Sequence, residues 1–125
     1  MSTLIKEPEA QYAVDHPIDP EGIWTRTELV LSMKLSTTTR ETMDASVPAV
    51  VDQLSSLLNL DLGQAEDQIV QGLVRKGRSL IEHGERPTND TPAFGVFLYL
   101  RDTAAIARRL LWVYAEREGR LPYAG

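Results

Sequence analysis

The stretch "AFGVFLYLRDTAAIARRLLWVYAER", residues 93–117, constrains the fold more than any other part of this chain. Thr91 and Pro92 just before it suit an N-cap and first-turn pair, so a helix is predicted over 93–117. Phe97, Tyr99, Leu100, Ala104, Ile106, Ala107, Leu110, Leu111, Val113 and Tyr114 spread apolar surface around most of its circumference, and such a helix is buried on two sides. In a chain of 125 residues the second side is expected to be a subunit interface, which predicts a homodimer or a constitutive complex with a larger protein partner. Arg101, Asp102, Arg108 and Arg109 interrupt the same stretch, and central charges are costly in lipid, so no membrane partner is expected.

Two shorter helices precede it. Ser46 can cap a helix over 47–58 with Pro48 in its first turn, and Val47, Val50, Val51, Leu54, Leu57 and Leu58 form one apolar stripe. Asp61 with Gln64 resembles a capping box, which starts a second helix over 62–82. Its stripe is Ile69, Val70, Leu73, Val74, Leu80 and Ile81, with Gln71, Arg75, Arg78 and Glu82 on the opposite face. Gly77 projects into the middle of that stripe. An interior glycine costs about 1 kcal/mol relative to alanine, and close approach of another helix is the expected return.

Upstream, "ELVLSMKLSTT" alternates Leu29, Leu31, Met33 and Leu35 with Val30, Ser32, Lys34 and Ser36, the period of a half-buried strand. Residues 1–23 carry Pro8, Pro17 and Pro20 and read as an extended arm, with Tyr12, Val14, Ile18, Ile23 and the adjacent Trp24 as apolar docking points. The chain is therefore expected to be mainly α with one strand-forming segment and about three helices. Its predicted organisation is an arm over 1–23, a single helical domain over 24–118 and a tail over 119–125.

Composition removes several chemistries. With no cysteine, disulfides, thiolate nucleophiles and cysteine-based zinc sites are excluded. The amino terminus lacks the basic and apolar regions of a signal peptide, and the expectation is a cytoplasmic protein. His16 and His83 are far apart, no histidine–carboxylate ligand spacing occurs, and neither a glycine-rich phosphate loop nor a GxSxG elbow is present. No metal and no cofactor are expected, and the chain is read as non-enzymatic. Asp102 neighbours Arg101 inside an otherwise apolar helix, and a place at the edge of the arc explains it better than catalysis does. Trp24, Arg101, Arg108 and Trp112 are candidate protein-interface residues, since Trp and Arg are common anchors and Trp112 follows Arg108 by four residues. That spacing lets the guanidinium lie over the indole, with a solvent-side stacking pair as the alternative.

The order of strand, proline-started helix, glycine-containing turn and "AEDQIVQGLVRKGRSLIE" is similar to the ribbon–helix–helix family over residues 29–84. The resemblance implies a dimer whose paired strands enter the major groove of duplex DNA. It makes Ser32, Lys34 and Ser36 the outward readers, or Thr42, Asp44 and Ser46 if the ribbon lies just before Val47. Arg75 and Arg78 would then add phosphate contacts from the second helix. The functional expectation is a dimeric DNA-binding regulator. The alternative is a helical adaptor or small subunit of a larger assembly, docked through its arm and third helix. The net charge of −5 favours the alternative. A small all-helical enzyme comes third.

Overall fold

The computed structural model describes residues 18–82 and 85–119. Among these residues there are four helices and no strand: α1 Pro20–Leu31, α2 Arg40–Leu58, α3 Gln68–Ile81 and α4 Ala93–Glu118. The proposed tail beyond Gly119 and the arm before Ile18 lie outside the described residues.

The largest correction is α1. Where an arm and then a strand were expected, the chain folds into a helix from Pro20 onward. Asp19 caps it by accepting from the Gly22 N–H at 3.1 Å, Pro20 occupies the first turn, and Glu21 favours the positive end of the dipole. Ile23, Thr27 and Val30 recur at helical spacing and are buried. Thr27 hides the pattern because it is polar, yet its hydroxyl donates to the Ile23 carbonyl at 2.8 Å and so enters the core satisfied. The alternation over 29–36 is therefore split between two environments. Leu29, Val30 and Leu31 end α1, Ser32 is its C-cap, and Lys34 and Thr37 close a turn through a 3.1 Å backbone bond.

The second correction is where the middle helices begin. The helix expected over 47–58 starts seven residues earlier, at Arg40, with Thr39 as N-cap accepting from the Thr42 N–H. Pro48 thus sits inside α2, where it removes one backbone bond, and not in a first turn. Met43 and Ser46 extend the buried stripe upstream and stabilise the added turns. Conversely, the helix expected over 62–82 starts six residues late. Asp61 and Gln64 accept from the N–H groups of Gly63 and Leu62 at 3.0 Å each, which folds a turn, and Gly63 has a φ of +78° that no helix continues through. Asp67 is the true N-cap, accepting from Ile69 and Val70.

α4 is the central element, as its sequence implies. It packs against α1, α2 and α3, α2 touches both other helices, and α1 and α3 do not touch. One core cluster joins Leu54, Leu57 and Leu58 of α2 to Val70, Leu73 and Val74 of α3 and to Ile106, Leu110 and Leu111 of α4. A second joins Val30, Met43 and Val50 to Val96, Phe97, Leu100 and Ala104 at the other end of the bundle. The broad arc of α4 is thus covered within the chain, with α1 lying against it alongside α2 and α3. A Cβ built on Gly77 would lie 3.1 Å from Leu58 Cδ2 and 3.4 Å from Leu54 Cδ1, so α3 does approach α2 closely at this residue.

Candidate interaction surface

The residues proposed to read DNA lie on two elements, the end of α1 with the turn after it, and α3. Ser32, Lys34 and Ser36 are exposed at the end of α1 and in the turn after it. Arg75 is exposed on α3, and Arg78 donates to the Leu58 carbonyl at 3.5 Å. The two sets belong to elements, α1 with the turn after it and α3, that make no contact with each other. The alternative readers are engaged locally: Thr42 with Thr39 at 2.9 Å, Asp44 with Arg40 at 2.9 Å, and Ser46 with the Thr42 carbonyl at 3.0 Å. At the amino end of α3, the Asp67 carboxylate already occupies two N–H groups.

Of the proposed interface anchors, Trp24 and Arg108 come together, on α1 and α4. Arg108 reaches across to α1 and lies over the ring of Trp24 at 3.5 Å, not over that of Trp112. Its guanidinium also donates to the Thr27 hydroxyl at 2.9 Å, the Trp24 carbonyl at 2.8 Å and Glu28 at 3.0 Å. This set of contacts fastens α1 to α4, and it engages Arg108 within the fold. Arg101 is exposed and 5.8 Å from the Phe97 ring, while Trp112 is half-buried.

The outer side of α1 carries a feature that sequence reading missed. Gly22, Arg26 and Leu29 recur at i, i+4 and i+7, a second stripe flanking the buried one. Leu29 is 58% exposed. Together with Arg26 it forms a ridge between two grooves. One, of about 530 Å³, runs past Gly22 and Thr25 to Gln53 on α2. The other, of about 440 Å³, has Val30 and Met33 as apolar walls and a hydroxyl border from Thr37, Thr38, Thr42 and Ser46. Beside the first groove, the Gln53 Oε1 atom is buried without a hydrogen-bond partner. An unpaired buried acceptor costs about 1–3 kcal/mol. The stripe could have been found by continuing the wheel from the Asp19–Pro20 start; reading Leu29 as a strand residue concealed it.

A third groove, of about 510 Å³, lies between the start of α3 and the end of α4, with exposed Ile69 at its edge and Glu66, Asp67 and Glu116 around it. Among the described residues no group of three or more histidine, cysteine or carboxylate side chains is placed to hold a metal ion, and no helix is long and apolar enough to cross a membrane. Burial raises the Tyr99 phenol above its ordinary pKa, and its proton is donated to the Leu80 carbonyl. Comparison with known proteins returned no matching family model, no matching curated protein and no matching solved structure.

Proposed function

We propose that the chain is a non-enzymatic binding protein, a helical adaptor or small subunit of a larger assembly, whose protein partner seats on the α1–α2 face. The observation that carries this reading is the Leu29–Arg26 ridge between two grooves, one of them backed by the unpaired Gln53 oxygen. A large apolar side chain exposed beside apolar walls, with a cation and hydroxyls at the border, has the composition of a protein interface with a dry centre and polar rim. Duplex DNA is the second reading, favoured by exposed Arg75 and Lys76 on α3.

A photo-crosslinking residue placed at Thr25, in the first groove, tests the proposal in the full chain and its native cell. The expected result is a discrete protein adduct that Leu29→Glu weakens at least about tenfold, since burying a leucine contributes about 1.5–3 kcal/mol. A crosslinker at exposed Gln71 on α3 should give no such adduct. Equal adducts from both positions, or none from Thr25, would contradict it. Retention of duplex DNA at low salt that requires Arg75 and Arg78 would replace it with the second reading.

A further inference from the structure

The exposed side of α4 carries a pattern that the three neighbouring helices do not use. Phe94, Leu98, Arg101, Asp102, Ala105 and Arg109 all lie on it and are all exposed, with Phe94 at 57% and Leu98 at 42%. Exposed helices ordinarily neutralise their charges with partners three or four residues away. Here no opposite charge stands at those spacings. Arg101 is flanked at those spacings by Phe97, Leu98, Ala104 and Ala105; Asp102 by Leu98, Tyr99, Ala105 and Ile106; Arg109 by Ala105, Ile106, Trp112 and Val113. Among the described residues, neither of the two ion pairs involves any of these three charges.

The stripe is, however, complementary to its own reverse. In an antiparallel helix pair related by a two-fold axis, positions equidistant from the axis face each other. With the axis between Arg101 and Asp102, Arg101 meets Asp102 of the partner subunit and Leu98 meets Ala105 of the partner subunit. Phe94 then meets Arg109 of the partner subunit, a ring against a guanidinium. Symmetry doubles each contact. Every charge on the stripe gains an opposite charge or an aromatic face, and Ala105 is small enough to admit the facing leucine.

We propose that α4 pairs antiparallel with the α4 of a second copy of this chain, about a two-fold axis between Arg101 and Asp102. This is independent of the α1–α2 partner face. The contact covers only a few helical turns, at the small end of specific interfaces, and corresponds to dissociation constants of about 10–100 µM.

Charge exchange tests the pairing. Arg101→Asp alone sets two carboxylates against each other at both symmetric positions, and Asp102→Arg alone sets two guanidinium groups there. Sedimentation equilibrium of the full chain up to several times the dissociation constant should show wild-type dimers. Each single variant should be weakened at least about tenfold, with an unchanged helical spectrum because both side chains are exposed. An equimolar mixture of the two variants, and the double variant R101D/D102R, should recover dimerisation, because opposite charges again face each other. A wild type that stays monomeric, dimers indifferent to both substitutions, or a mixture that does not recover would each overturn the proposal.

Discussion

Arg108→Ala should destabilise the fold by about 2–3 kcal/mol, and the terms can be taken one at a time. The ion pair with Glu28 contributes least: the Glu28 side chain is 59% exposed, and exposed pairs contribute about 0.2–0.5 kcal/mol. Stacking on Trp24 lies between exposed and desolvated behaviour, since Arg108 is 17% exposed, and contributes about 1 kcal/mol. The hydrogen bonds to Thr27 and the Trp24 carbonyl add about 1 kcal/mol together, at the lower end of the about 0.5–1.5 kcal/mol that a typical protein hydrogen bond contributes. They fall at that end because truncation orphans neither group: Thr27 still donates to Ile23, and the Trp24 carbonyl still faces its own helix. Urea unfolding followed by tryptophan fluorescence reads the loss directly, with Trp24 beside the mutated site. Glu28→Gln should cost at most about 0.5 kcal/mol in the same assay. An Arg108→Ala variant within about 0.5 kcal/mol of wild type would refute the argument that this residue fastens α1 to α4.

Substitutions at two further positions probe the core. Gly77→Leu should cost about 1–3 kcal/mol in thermal or urea unfolding by overpacking against Leu54, Leu58 and Ile106. Gly77→Ala should fall within about 1 kcal/mol of wild type, because its helix propensity gain offsets a Cβ contact that the flexible end of Leu58 can yield to. Tyr99→Phe should cost about 0.5–1.5 kcal/mol, since the phenol caps the Leu80 carbonyl, one of the last-turn acceptors of α3. Because burial raises the phenol pKa, its contribution is fully present below about pH 10 and is lost as pH rises through the folded value; wild type should lose stability there and Tyr99→Phe should lack that component.

The long helix and the stripe of α3 were legible because their apolar residues repeat over several turns, and so was the close approach at Gly77. Boundaries were less so. Pro48 and the Asp61–Gln64 pair look like starts, yet Thr39 and Asp67 take the capping role. The decisive signals there are Met43, which extends the stripe upstream, and Gly63, whose left-handed backbone ends one turn before another can begin. α1 was missed because alternating apolar residues near its end imitate a strand, and because Thr27 is a core residue whose polarity is satisfied only in a helix. The contacts of Arg108 with Trp24, Thr27 and Glu28 join residues about eighty positions apart, which no local pattern reveals. The proposed partner face follows from α1 and was hidden with it.

Backbone chemical shifts and inter-residue NOEs over residues 20–39 test the central claim most directly. The conversion of this segment from a DNA-reading ribbon into a helix against α4 underlies the functional reading. Helical shifts from Pro20 to Leu31, with NOEs from Trp24 and Thr27 to Arg108, are the predicted result. Extended shifts over 29–36, with strand-to-strand NOEs between two copies, would contradict the account and restore the ribbon.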